Sequence, residues 1–331
     1  MDINFTMSDG LILRGTLLDN TSSNDLIIML HSGGYERTEH GVKKINNGKK
    51  EYYNPEGNYT YLSNYLSSDA SILLLDQRNH GQSGKNIDEV AMYKAIKSID
   101  SSINAKKIIK ALKEKDMKTL SEFKNPKLQE LIKRPIIKDM SFVSMAHDLK
   151  EVIDELNKSG RYKNIHLVGT CMGGLVSALY LINYPNNVKS LTLFSPLFLF
   201  DQVFLHPVNE FGVHKQEIIK DGKQYHMGNA IEGAKTIAEI SSIKDYFYKK
   251  LFELDIPIFC IQGIDDALVP VAHQNALFAS LKEYHDTNNL SKVYYAEISP
   301  GVHCLYDVLY PSLQMASEFI YSNLDTGLKR N

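Results

Sequence analysis

The chain has 331 residues, 43% of them hydrophobic and 23% charged, enough to bury the core of one large α/β domain with insertions or of two smaller domains. A net charge of -2 and a pI near 6.6 exclude general nucleic-acid binding. The cysteines, Cys171, Cys260 and Cys304, are odd in number and lie in apolar runs or motif positions, which argues against a disulfide framework. No basic stretch precedes an apolar run at the start, and no segment approaches the roughly 18 apolar residues of a membrane span, so a cytoplasmic protein is the expectation.

Strand-like runs over 3–7 and 11–17 flank Ser8-Asp9-Gly10 and read as a hairpin. After a polar loop, residues 26–30 are continuously apolar, as in a strand buried on both faces. That strand ends in His31-Ser32-Gly33-Gly34. Glycines there let backbone amides turn towards a pocket, so Gly33, with Ser32 next, is a candidate oxyanion donor; an ordinary glycine loop is the plainer reading. The polar stretch 35–58 is long for a connection, which fits a lid or a surface excursion. A helix over about 59–66 leads into a buried strand over 72–76.

Asp76-Gln77-Arg78-Asn79-His80-Gly81-Gln82-Ser83 follows. It resembles the D-x-R-G-H-G-x-S turn of the α/β-hydrolase superfamily, with Asn79 in place of the first glycine. The resemblance implies an α/β-hydrolase fold: a mostly parallel central sheet flanked by helices, with a helical insertion and a cap. It gives the turn itself a structural role. The core is then 1–84, 141–196 and 255–331, the insertion 85–140 and the cap 197–254. The insertion has helical periodicity and carries fourteen Lys and Arg against eight Asp and Glu. Such a balance suits a lid receiving an acyl carrier protein or a coenzyme A thioester; solvated amphipathic helices are the plainer reading. A helix over 141–156 is capped by Ser141 or Ser144 and has a stripe of Val143, Leu149, Val152, Ile153 and Leu156, with His147 and Asp148 as surface or capping residues.

Residues 165–168, Gly169-Thr170-Cys171-Met172-Gly173 and 174–182 read as a buried strand, a sharp turn and a packed helix, the arrangement of a nucleophile elbow. Cys171 stands where serine is usual. A helix N-terminus lowers a thiol's pKa, and the Met172 amide is the second candidate oxyanion donor. Taken alone, Cys171 could equally be a small buried residue at a tight turn.

A further strand spans 188–194, after which the alternation of strand and helix is lost and aromatic residues accumulate: Phe198, Phe200, Phe204, Phe211, Tyr225 and 246–248. Family members commonly insert a cap here, so the rings either line an acyl pocket or hold the cap onto the core. Residues 262–270, after the strand 257–261, resemble the family's acid loop, which implies Asp266 as the acid with Asp265 as alternative; a helix-capping aspartate is the plainer reading. His303, on a glycine-containing loop after the last strand, 293–298, lies where the family places its general base. The resemblance thus implies a Cys171, His303, Asp266 triad, in the family's chain order. Cys260 and Cys304 read as packing. No H-x-H, H-E-x-x-H or paired-cysteine spacing occurs, so neither metal nor cofactor is expected.

The expected reaction is hydrolysis of an ester or thioester through a Cys171 thioester. A thioester also reacts with amines, thiols and carbon nucleophiles, so acyl transfer from a coenzyme A or carrier-protein thioester is the alternative. A non-catalytic ligand-binding homologue is the second.

Overall fold

The computed structural model describes residues 1–33, 37–38, 42–46, 49–52, 57–114, 116–133, 135–136, 141–184, 187–198, 217–220, 223–226, 234–266, 269–305 and 309–325. The strands are β1 (Asp2–Thr6), β2 (Ile12–Leu18), β3 (Asp25–Leu30), β4 (Val42–Asn46), β5 (Lys49–Tyr52), β6 (Ser71–Asp76), β7 (Asn164–Thr170), β8 (Val188–Phe194), β9 (Glu217–Lys220), β10 (Lys223–His226), β11 (Ile258–Gly263) and β12 (Val293–Ile298). The helices are α1 (Asn58–Leu66), α2 (Glu89–Ile99), α3 (Ala105–Glu114), α4 (Met117–Ser121), α5 (Pro126–Lys133), α6 (Phe142–Asn157), α7 (Met172–Asn183), α8 (Ala234–Phe252), α9 (Val271–Thr287) and α10 (Leu309–Asn323).

Continuous apolar runs become interior strands because both faces of the sheet are covered. β3, β6 and β11 are buried at every position. Eight strands form one sheet in the order β1-β2-β6-β3-β7-β8-β11-β12. β1 and β2 pair antiparallel, as do β2 and β6; every other pairing is parallel. One face buries Leu149 and Val152 of α6, Leu175 of α7, Phe247 of α8 and Phe278 of α9. The other buries Tyr59 and Leu62 of α1 with Leu313 and Ile320 of α10. Each such side chain contributes about 1.5–3 kcal/mol when fully buried.

Helices α2 to α5 fill the expected insertion and close over a separate core that includes Met92, Ile96, Ile108, Leu112 and Leu128. Within 35–58, where a lid or a surface excursion was expected, β4 and β5 pair antiparallel. In the expected cap, β9 pairs with β10, and Phe198 stacks on Phe278 and meets Phe247 edge to face at 5.3 Å. These rings hold α8 onto the core. Tyr246 is exposed, and the side chains of Phe200, Phe204, Phe211 and Tyr225 lie outside the described residues.

Two residues of α6 depart from expectation. Ser141 caps the helix by accepting from the Ser144 amide at 3.0 Å, but Val143 is exposed, because the buried stripe runs through Met145, Leu149, Val152 and Leu156. Asp148 is buried rather than at the surface, in a bidentate pair with Arg78, which also binds Asp9 at 3.1 Å. That pair ties α6 to the turn after β6. The turn's Asp76 accepts from the Arg37 and Gln82 amides, each at 2.7 Å, and from the Arg37 guanidinium, consistent with a structural role. Among the described residues no helix is long and apolar enough to cross a membrane.

Candidate active site

The loops after β3, β7, β11 and β12 leave the same edge of the parallel sheet, the edge where open α/β sheets place their ligands. β7 ends at Thr170, and Cys171 takes φ 50° and ψ −109°, a conformation that costs on the order of 1–3 kcal/mol for a non-glycine residue. Its amide donates to the Phe194 carbonyl at 2.9 Å and its carbonyl accepts from the Leu197 amide at 3.1 Å, so β8 holds the strained turn. Met172 then opens α7, and first-turn amides have no intrahelical acceptor. Glycine is required at 173: a Cβ there would lie 2.0 Å from the Leu30 carbonyl oxygen and 2.8 Å from that of His31. The elbow therefore abuts the end of β3, where Ser32 and Gly33 sit.

That end is clamped by groups with no motif of their own in the sequence. His31 is fully buried; its Nδ1 donates to the Ser32 carbonyl at 2.7 Å and its Nε2 accepts from the Gln77 amide at 3.0 Å. Only the neutral imidazole fits both bonds, and burial, with the neighbouring His80, pushes its pKa down to about 3. Gln77 returns a side-chain bond to the His31 carbonyl at 2.7 Å. Tyr59 Oη donates to the Leu30 carbonyl at 2.8 Å and meets Thr170 Oγ1 at 2.7 Å, joining β3 to the elbow. Ser32 is buried and Gly33 half-buried. With the Ser32 carbonyl turned to His31, the Gly33 N–H of the same trans peptide points the opposite way, away from that ring.

After β11, Asp266 is buried and Asp265 exposed. Asp266 Oδ2 accepts from Gln262 at 2.7 Å and its Oδ1 from the Val269 amide at 2.9 Å. The same Oδ2 lies 2.8 Å from His303 Nδ1. The two loops meet backbone to backbone: a Cβ on Gly263 would be 2.3 Å from the Gly301 carbonyl oxygen, and the Asp265 amide donates to that oxygen at 2.8 Å.

A ring nitrogen of His303 and the Sγ atoms of Cys171 and Cys304 lie within 4.8 Å of one another. With Nδ1 committed to Asp266, Nε2 is the nitrogen left to face the sulfurs. Its attraction to Cys171 is first one of charge, and a hydrogen bond between the two adds to it. The Cys171 thiol is held well below the usual thiol range, first by its hydrogen bond with Cys304; burial opposes this, and the His303 charge lowers it further. Burial also opposes charge on His303, but the Asp266 carboxylate and the Cys171 sulfur hold the imidazolium well above the usual range. Burial pushes the Cys260 thiol up, as for a packed core cysteine. No cysteine is in a disulfide.

The site thus brings Cys171, His303 and Asp266 together, sets the Met172 amide at a helix start, and seats the Ser32-Gly33 loop against the elbow. Asp265 is not among them. Cys304, expected as packing, joins the site from a turn in which it and Leu305 take left-handed φ values of 61° and 58°. No spacing in the sequence signals that turn.

A sequence profile of the alpha/beta hydrolase fold matches residues 27–233. No curated protein matches the chain. Among solved structures, Est1E from Butyrivibrio proteoclasticus with bound ferulic acid superposes with a TM-score of 0.60 at 14% identity, covering 97% of this chain and 98% of that one. The Pyrococcus furiosus esterase Pf2001 gives 0.54 at 15% identity, covering 98% and 92%. A hydrolase from Pseudomonas aeruginosa PA01 gives 0.52 at 13%, covering 97% of each. With the profile matching more than half of its length and a sheet of this order, the chain belongs to the α/β-hydrolase fold family.

Proposed function

We propose that this protein hydrolyses an ester or thioester through an acyl group carried on Cys171. The observation that carries the reading is the convergence of Cys171 Sγ, His303 and Asp266 at one edge of the sheet, with Nδ1 and Oδ2 2.8 Å apart. In the first half-reaction the Cys171 thiolate attacks the acyl carbon, and the carbonyl electrons move onto oxygen. The amides of Met172 and Gly33 stabilise that oxyanion; each such donor is worth about 10²–10³ in rate. Ser32 is the poorer donor, because it is the Ser32 carbonyl that His31 orients. Collapse of the intermediate expels the alcohol or thiol, which takes the proton from His303 Nε2, leaving a Cys171 thioester. Water then attacks the thioester, His303 accepts its proton, and the acid and the thiolate are released. Asp266 holds the ring with Nε2 towards the sulfur and stabilises the imidazolium.

Ester cleavage agrees with the Pyrococcus furiosus esterase among the similar folds. Coenzyme A and carrier-protein thioesters are the anionic substrates that the basic insertion would favour. The test is the intact mass of wild type and Cys171→Ala, followed in time after mixing with short and medium acyl esters and thioesters. Turnover by wild type alone, with at most a transient acyl adduct, supports hydrolysis. An adduct that persists until an amine or thiol is added makes the protein a transferase. Equal behaviour of the two proteins across the panel removes Cys171 from the chemistry.

A further inference from the structure

Proposed catalysis uses one of the two sulfurs at His303, and the second is the feature of the site that it leaves unexplained. Cys304 is 2% exposed and Cys171 9%, and both sulfurs lie within 4.8 Å of each other and of a His303 ring nitrogen. Tetrahedral zinc, with bonds of about 2.3 Å to sulfur and 2.0–2.1 Å to nitrogen, sets its ligand atoms about 3.6–3.8 Å apart. Closing this cluster onto such an ion takes at most about 1 Å of movement. Two thiolates and an imidazole are a soft donor set, suited to zinc and unsuited to magnesium or calcium. The surroundings fit as well. A metal-binding histidine commonly gives its other nitrogen to a carboxylate, and His303 Nδ1 is held by Asp266, itself held by Gln262 and the Val269 amide. His303 Nε2 is buried and faces the two sulfurs.

We propose that Cys171, His303 and Cys304 form a binding site for a soft divalent cation, Zn²⁺ by its donor set, and that occupation takes the nucleophile and the base out of use. Binding forms two metal–sulfur bonds and one metal–nitrogen bond and releases to solvent the protons those atoms held; a water or an incoming donor completes the tetrahedron. No oxidant or reductant is involved. A metal-bound Cys171 cannot attack an acyl carbon, and a metal-bound Nε2 cannot carry a proton. The site rests on the positions of three side chains rather than on the hydrolase reading, and it stands if that reading falls.

The test uses the 331-residue chain without substrate. Co²⁺ is titrated in and followed by thiolate-to-cobalt charge-transfer absorption, and Zn²⁺ affinity is measured by calorimetry. Wild type is expected to bind one equivalent of either ion with the thiolate band. Loss of an outer-shell partner weakens such sites about 10–100-fold, so loss of a direct ligand in Cys304→Ser or Cys171→Ser should weaken binding at least tenfold and diminish the band. Cys260→Ala should bind as wild type does. If Cys304→Ser misfolds by circular dichroism, Cys171→Ser alone decides. Undiminished affinity in the folded ligand variants, or a cobalt spectrum without the thiolate band, overturns the site. In a second arm, thioester turnover should fall as one equivalent of Zn²⁺ is added and return with a chelator. Full turnover with the ion bound overturns the claim that it blocks catalysis, and a protein that binds the ion but turns over no acyl substrate sinks the hydrolase reading while leaving the site in place.

Discussion

Asp265 and Asp266 are neighbours in sequence with the same chemistry, and the backbone turn between them separates their fates. Asp266 is buried against His303, Gln262 and Val269, whereas Asp265 is exposed and contributes a backbone amide to the Gly301 carbonyl. Asp266→Asn puts an amide beside Nδ1, which favours the wrong imidazole tautomer, so kcat/KM for an acyl substrate should fall about 10³–10⁴-fold. Asp265→Asn should change it by less than about twofold. Steady-state kinetics of the two variants side by side check this, and a large loss in Asp265→Asn would reverse the assignment. Cys171 could be read from its turn because small residues at fixed offsets are a local signal. Cys304 could not, since its place depends on two consecutive left-handed residues that no motif announces.

Strand ends, more than strands, build the site, and the β3 end shows how. His31 is locked as a neutral ring between the Ser32 carbonyl and the Gln77 amide, with its pKa pushed down to about 3. The unfolded chain binds that proton near pH 6.5, so between about pH 6.5 and 3 the unfolded state holds more protons than the folded one. Stability from this group is therefore complete above pH 6.5 and is lost as the pH falls through that window, by about 2 kcal/mol at pH 5. Urea unfolding of wild type and His31→Gln at pH 7 and pH 5 measures it. The wild type should lose about 2 kcal/mol more than the variant over that interval; parallel losses would mean that the ring is not locked neutral. The strands and the apolar stripes of the helices were legible because burial imposes a period. The clamps made by His31, Gln77, Tyr59 and Gln262 were not, because each joins residues whose separation in sequence carries no pattern.

At the scale of the molecule, the described residues form three apolar clusters, and the one under α2 to α5 shares no residue with the two that sandwich the sheet. We expect 89–133 to open as its own cooperative unit. Ile108 is fully buried in that cluster, and Ile108→Ala should cost the unit about 2–4 kcal/mol. Hydrogen exchange read by mass spectrometry should then quicken across α2 to α5 and stay unchanged in β3 and β7. Equal acceleration in both would show one cooperative body and end the division of the chain at 85–140.

The sequence by itself determined the strands and helices, because runs of period two, period 3.6 and continuous burial follow from which faces must leave water, and the resemblance of its turns to the α/β-hydrolase superfamily implied the fold they build. It also determined the strand ends at which reactive residues sit, because glycines and turn residues mark where a chain can bend sharply. Resemblance to the acid loop already implied Asp266 as the partner of His303; tertiary structure alone decided which histidine is a clamp and that Cys304 shares a site with Cys171. Those outcomes depend on the packing of loops from distant parts of the chain, and packing is a property of pairs that no single segment encodes.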